Sequence, residues 1–170
     1  MSVNNKKQLI MNHFTIKEMC VSGSYPKLVE VPKDGSTEYA NLKNLIEHLL
    51  NPIREKLGGT IRVTSGYRPP KLNKAVGGAP NSNHLYGCAA DIHFGNDRSD
   101  NVKIAEAVMQ LGIPFDEVIC EGASFSKSGE LVSAKWIHVA LRQSNNRRKF
   151  IFTTDFKKYY PLKFNMKITK

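Results

Sequence analysis

Between Glu38 and Leu57 the apolar residues Leu42, Leu45, Ile46, Leu49, Leu50, Ile53 and Leu57 recur at helical spacing, and Gly58-Gly59 stops the pattern as a C-cap would. The spacing predicts the main core helix, with Pro52 placed to kink it or to remove one hydrogen bond. His48 falls beside the apolar stripe and reads as a structural or exposed residue. A second helix begins at Ser99 or Asp100, runs through Val102, Ala105, Val108, Met109 and Leu111, and closes at Gly112. Elsewhere the period is two. Residues 60–64, 88–94, 115–121, 130–140 and 149–153 alternate or are rich in β-branched and aromatic side chains, and are expected as strands. A hairpin through Ser124 to Gly129 would set the third beside the fourth, and the lysine- and arginine-flanked fifth is expected at an edge. Thr15-Ile16-Lys17-Glu18 fits a capping box opening a short helix, while Val21 to Thr37 reads as an irregular loop. The predicted class is α+β: a small antiparallel sheet with the helices packed on one face.

Chemistry concentrates in Ser82-Asn83-His84-Leu85-Tyr86-Gly87-Cys88-Ala89-Ala90-Asp91, which offers an imidazole and a carboxylate to one metal ion. A third ligand comes from Trp136-Ile137-His138-Val139-Ala140, where alternation sends Trp136, His138 and Ala140 to one face and Ile137 and Val139 beneath. Two histidines and one carboxylate around Zn²⁺, with a fourth position for water, form the ligand set of a hydrolytic site and not of a closed structural one. Gly87 would let the backbone pass close to the metal. His93 shares a strand face with Asp91 and is a rival ligand.

The string Ser-x-His-x-x-Gly-x-Ala-x-Asp followed by Trp-x-His resembles the zinc D-alanyl-D-alanine carboxypeptidases and their phage endolysin relatives. Thr64-Ser65-Gly66-Tyr67-Arg68-Pro69-Pro70, with Asn73 and Val76-Gly77-Gly78-Ala79, resembles that family's segment just upstream, so the likeness runs from about Ile61 to Leu141. It implies a hedgehog-type fold, Zn²⁺ on His84, Asp91 and His138, and a peptidoglycan peptide stem as substrate. It also implies that Arg68 grips a substrate carboxylate or developing oxyanion, with Ser82 and Trp136 lining the substrate site. The catalytic base it suggests is Glu121, with Glu117 and Glu130 as fallbacks. Some branches carry the acid about three residues before the second histidine, where this chain has Lys135. Residues 73–82 would form a loop able to close over the site.

A chain of 170 residues, 41% hydrophobic and 24% charged, is expected to form one domain with a basic segment from about residue 141, and to act as a monomer. No apolar run reaches membrane-spanning length, and Met1 to Gln8 does not read as a secretory signal. Synthesis in a cytoplasm, with action on the wall after release or export, is the expectation. The net charge of +10 is uneven, since residues 141–170 hold nine Lys or Arg against Asp155 alone. That segment would suit anionic polymers; nucleic acid is a distant third reading, behind a non-catalytic wall-binding module of the same fold. Its aromatic residues Phe156, Tyr159, Tyr160 and Phe164 are expected to pack against the body. Cys20, Cys88 and Cys120 lack paired spacing and are expected as buried free thiols.

Overall fold

The computed structural model describes residues 12–163; the polar stretch 1–8 and Phe164 discussed above lie outside them. The Glu38–Leu57 pattern folds as α1 (Thr37–Leu45), a π-helical turn (Ile46–Leu50) and α2 (Asn51–Leu57). Ser36 caps the start, its Oγ accepting from the Tyr39 backbone N–H at 3.2 Å, and Gly58 ends it at φ 64°. Proline lacks the N–H that an α-helical ladder needs at residue 52. The turn ahead of it widens, so that the Asn51 N–H reaches back to the Ile46 carbonyl. The capping box at Thr15 and Glu18 forms as expected, with reciprocal bonds of 2.7 and 3.2 Å, but it closes a turn and no helix follows.

Strands β1 (Ile61–Ser65), β2 (Ala89–Phe94), β3 (Glu117–Glu121), β6 (Trp136–Ala140), β7 (Lys149–Thr153) and β8 (Tyr160–Pro161) form one sheet in the order β1-β2-β6-β3-β7-β8. β3 and β6 pair antiparallel as expected, but the connection carries its own two-stranded sheet, β4 (Ser124–Phe125) with β5 (Leu131–Ser133), so that the 130–140 run is broken into β5 and β6. The class is α+β, with one correction to the sheet: it is mixed. β7 lies parallel to β3, where an all-antiparallel sheet was expected. The reason is topological, for β6 returns antiparallel on one side of β3 and the chain then crosses the end of β3 to its other flank. β7 is accordingly internal, with β8 taking the edge. Between β1 and β2 lie α3 (Pro70–Ala75), not foreseen in the sequence, and a 3-10 turn (Asn83–Tyr86).

Alternation divides the sheet cleanly. Ala90, Ile92, Val118, Cys120, Ile137 and Val139 join the core with α1, α2 and α4 (Val102–Leu111). Asp91, Glu117, Ile119, Glu121 and His138 face the other way and line a cleft. The three cysteines are buried and unpaired, and His48 is exposed. Among the described residues no helix is long and apolar enough to cross a membrane.

The crossing from β6 to β7 turns on Asp116, a wholly buried acid that the sequence reading passed over. Its carboxylate accepts from the Arg147 backbone N–H and Nε at 3.0 Å each and from Arg147 Nη2 at 2.6 Å, and from Asn83 Nδ2 at 3.1 Å. Its backbone N–H donates to the Ala140 carbonyl and its own carbonyl accepts from Lys149, tying the strands on either side. Burial alone would raise the Asp116 pKa, but the bonds from Arg147 and Asn83 outweigh it and hold the carboxyl below its ordinary value. A depressed folded pKa adds stability above the unfolded value of about 4, and that stability is lost as pH falls through the folded value. Asp116→Asn should therefore destabilise the chain by about 2 kcal/mol at pH 7 and flatten the acid limb of its stability profile. Urea melts of both proteins between pH 3 and 7 check this, and parallel acid limbs would contradict it.

Candidate metal centre

Asp91 and His138 are direct cross-strand partners on β2 and β6, a pairing fixed by the sheet register. His138 Nδ1 lies 2.9 Å from Asp91 Oδ1. His84 enters from the 3-10 turn, whose start is capped by Ser82 Oγ accepting from the His84 N–H at 3.3 Å. His84 Nδ1 lies 2.7 Å from the Gly66 carbonyl, which can only accept, so Nδ1 carries the proton and Nε2 is bare. That bare nitrogen sits 3.2 Å from His138 Nδ1 and 3.3 Å from Asp91 Oδ1. Three possible ligand atoms thus face one another at 2.9–3.3 Å, close enough to share one cation, or a proton that His138 Nδ1 donates to Asp91. Zinc ligands about 2.0 Å from the ion stand about 3.3 Å apart in a tetrahedron, so the residues fit this metal and leave one corner open.

Supporting contacts hold each ligand. Arg68 Nη2 donates to Asp91 Oδ2 at 2.7 Å and its Nε to Ser65 Oγ at 2.7 Å, while the Arg68 backbone N–H bonds the His84 carbonyl. Arg68 therefore orients the carboxylate, leaving one edge of its guanidinium toward the cleft. His138 Nε2 looks at Glu117 Oε1, 3.9 Å away. Burial drives the His84 pKa down. Burial would do the same to His138, but the Asp91 hydrogen bond and charge, with Glu117 and Glu121, raise it instead. Asp91 is held well below the carboxylate range, because the two imidazoles overcome the effect of its burial.

The three candidate bases fall in different places. Glu130 is exposed, donates its backbone N–H to Ser126 Oγ and lies outside the cleft. Glu117 stands between His138 and Arg147, whose Nη2 is 3.5 Å away. Glu121 lies opposite Trp136 in the strand register, is 8% exposed, and its Oε2 is buried without a hydrogen-bond partner. Burial pushes its pKa up to about 7. Lys135, at the alternative base position, is exposed and sits 4.8 Å over the Phe156 ring, away from the cleft lining.

Ser82 and Trp136 both line the cleft, as do residues 76–79. His93 does not join the triad; it lies opposite Arg62 on β1, beside a separate hollow. Gly87 is required for another reason than the one expected: at φ 69° it passes close to the Glu38 carbonyl of α1, where a Cβ would collide. Arg142, Arg147, Phe156 and Tyr159 complete the cleft wall, which no local motif signals. Phe156 stacks on Trp136 at 5.3 Å and 13°, in a left-handed backbone conformation held by its N–H to Thr153 Oγ1. Only the folded sheet brings these distant positions to His138.

No curated protein matches the chain. The model of the family described as Peptidase M15 matches residues 12–140, a span that contains the triad, Arg68 and Glu121. A match over that share of the sequence, centred on a His-Asp-His cluster built to hold a cation, places the chain in the peptidase M15 family of metallopeptidases.

Proposed function

We propose that this protein is a zinc-dependent peptidoglycan hydrolase that cleaves an amide bond in the peptide stem, as a D-Ala-D-Ala carboxypeptidase or a stem endopeptidase. The observation that carries the reading is the pairing of an open-cornered triad with Glu121, a buried carboxylate that has an unpartnered oxygen and a pKa of about 7. His84, Asp91 and His138 would hold the ion, and zinc bound there supplies Lewis acidity and eases the ionisation of water. Glu121 takes the proton of the attacking water and returns it to the departing amine, a task suited to a carboxylate poised near neutral pH. Arg68 steadies Asp91 and offers its remaining edge to the substrate. Trp136 and Phe156 wall one side of the cleft and limit water there. The wall is reached after release or export from the cell. A non-catalytic wall-binding module on the same fold is the other reading, favoured by the basic segment beyond residue 141.

His84→Ala, Asp91→Ala and His138→Ala should each lose stoichiometric zinc and reduce muropeptide release to background, measured by metal analysis and chromatography of digested wall. Intact cleavage by the ligand-deficient proteins would end the proposal. Glu121→Gln should keep its zinc while kcat falls about 10²- to 10⁴-fold. A binding module would instead show unchanged wall affinity and no turnover in either form. The wild-type kcat/KM should also fall on acidification as Glu121 gains a proton. Because a cation at the triad pulls that carboxyl down from about 7, the limb should lie at or below this value.

A further inference from the structure

Two guanidinium groups at one end of the cleft remain without a role. Arg142 and Arg147 line it together with His84, Asp91 and His138, yet both lie beyond the span matched by the family model. Both are moored to the wholly buried Asp116. Arg147 uses Nε and Nη2 on that carboxylate and leans on Glu117 at 3.5 Å. Arg142 touches the same carboxylate only through Nε, at 3.2 Å, and shares that nitrogen with Asn83 Oδ1 at 3.3 Å. Its terminal nitrogens have no hydrogen-bond partner among the described residues.

The mooring is firm. The Arg142 N–H donates to Asn146 Oδ1 at 2.8 Å and Asn146 Nδ2 donates back to the Arg142 carbonyl at 2.9 Å, clamping the loop base. Asp116 accepts hydrogen bonds from Arg147 and Asn83 and pairs with Arg142 at 3.2 Å, so its one charge is shared between two cations. Asn83 precedes His84 in the chain, which fixes the distance from this arginine to the triad. A half-exposed guanidinium that lines the cleft, is anchored through Nε and keeps its terminal nitrogens without a partner among the described residues has the two-pronged donor set that a carboxylate takes in bidentate geometry.

We propose that Arg142, held on Asp116 beside Arg147, forms a carboxylate-binding subsite at this end of the cleft and sets which part of the stem peptide is presented to the triad. The inference rests on the peptidase reading for its substrate, and the carboxylate comes either from the chain terminus or from an acidic side chain.

The sole tryptophan, Trp136, lines the same cleft, so its fluorescence reports occupancy of the zinc-loaded full chain. N-acetyl-D-alanine should give a saturable change, and N-acetyl-D-alaninamide should bind at least about tenfold more weakly. N-acetyl-D-glutamic acid α-amide, whose only carboxylate is on the side chain, tells the two sources apart: the acid bound more tightly identifies the source. Arg142→Gln should bring acid and amide within about twofold, and Arg142→Lys, which keeps the charge but loses the fork, should erase most of the preference. Equal binding of acid and amide by the wild type, no saturable response to either acid, or a preference that survives both substitutions would overturn the subsite. Cleavage of a stem peptide indifferent to amidation of its carboxylates would also end the subsite while leaving the peptidase reading intact. Acid-selective binding without any cleavage would do the reverse.

Discussion

The Asp91 carboxylate is the constraint on which the molecule turns. One oxygen is turned toward two imidazole nitrogens and the other is held by Arg68, so the group is fixed on both sides. A buried carboxylate needs partners on both oxygens, and here Arg68 serves one while the His84 and His138 rings face the other, where a cation could also sit. The surrounding structure bears the cost of holding them. β2 and β6 deliver Asp91 and His138 by register, while His84 depends on the Gly66 carbonyl for its tautomer. Gly66 in turn passes so near the Met19 carbonyl that no side chain fits, and the next residue, Tyr67, donates its N–H to that same carbonyl. The turn closed by Thr15 and Glu18 is thereby tied to the site through four residues of backbone.

A second fixed point lies at the other end of β3. Asp116 gathers the loop that crosses from β6 to β7, and with it the segment beyond the family match. This segment adds Arg142 and Arg147 at one end of the cleft and Phe156 and Tyr159 at the other. Asp91, His138 and Glu121 sit on strands of the sheet and His84 on the 3-10 turn, whereas these additions sit on connections between strands. Phe156 keeps a left-handed backbone conformation uncommon for an aromatic residue, and its stacking on Trp136 is what that strain maintains. The basic character of the C-terminal segment thus has two components: Arg142 and Arg147 line the cleft beside Asp116, while Arg148, Lys149, Lys157, Lys158 and Lys163 remain at the surface.

Local pattern carried much of the outcome. The helical stripe from Leu42 to Leu57, the stop at Gly58, the alternation of β2 and β6, and the three members of the His-Asp-His cluster were legible in the sequence, because period and spacing are properties of neighbouring residues. Even the disturbance at Pro52 was foreseeable, since a missing N–H has to be absorbed somewhere, and here a π turn absorbs it. What the chain order could not tell was which side of β3 the last long strand would take. Parallel and antiparallel neighbours demand the same alternation, so β7 reads identically in either place. The same blindness hid Asp116, which as one acid among fifteen has no local signature until the crossing loop folds over it. The resemblance already set Glu121 ahead of Glu117 and Glu130, but the differing burial and hydrogen-bond partners of the three glutamates appear only in the fold. Sequence alone determined the His84, Asp91 and His138 candidates and the strands bearing Asp91 and His138, because motif and alternation are matters of short-range spacing. Tertiary structure decided the partners of Asp91, Asp116 and Glu117, because those depend on which distant segments the sheet order brings into contact.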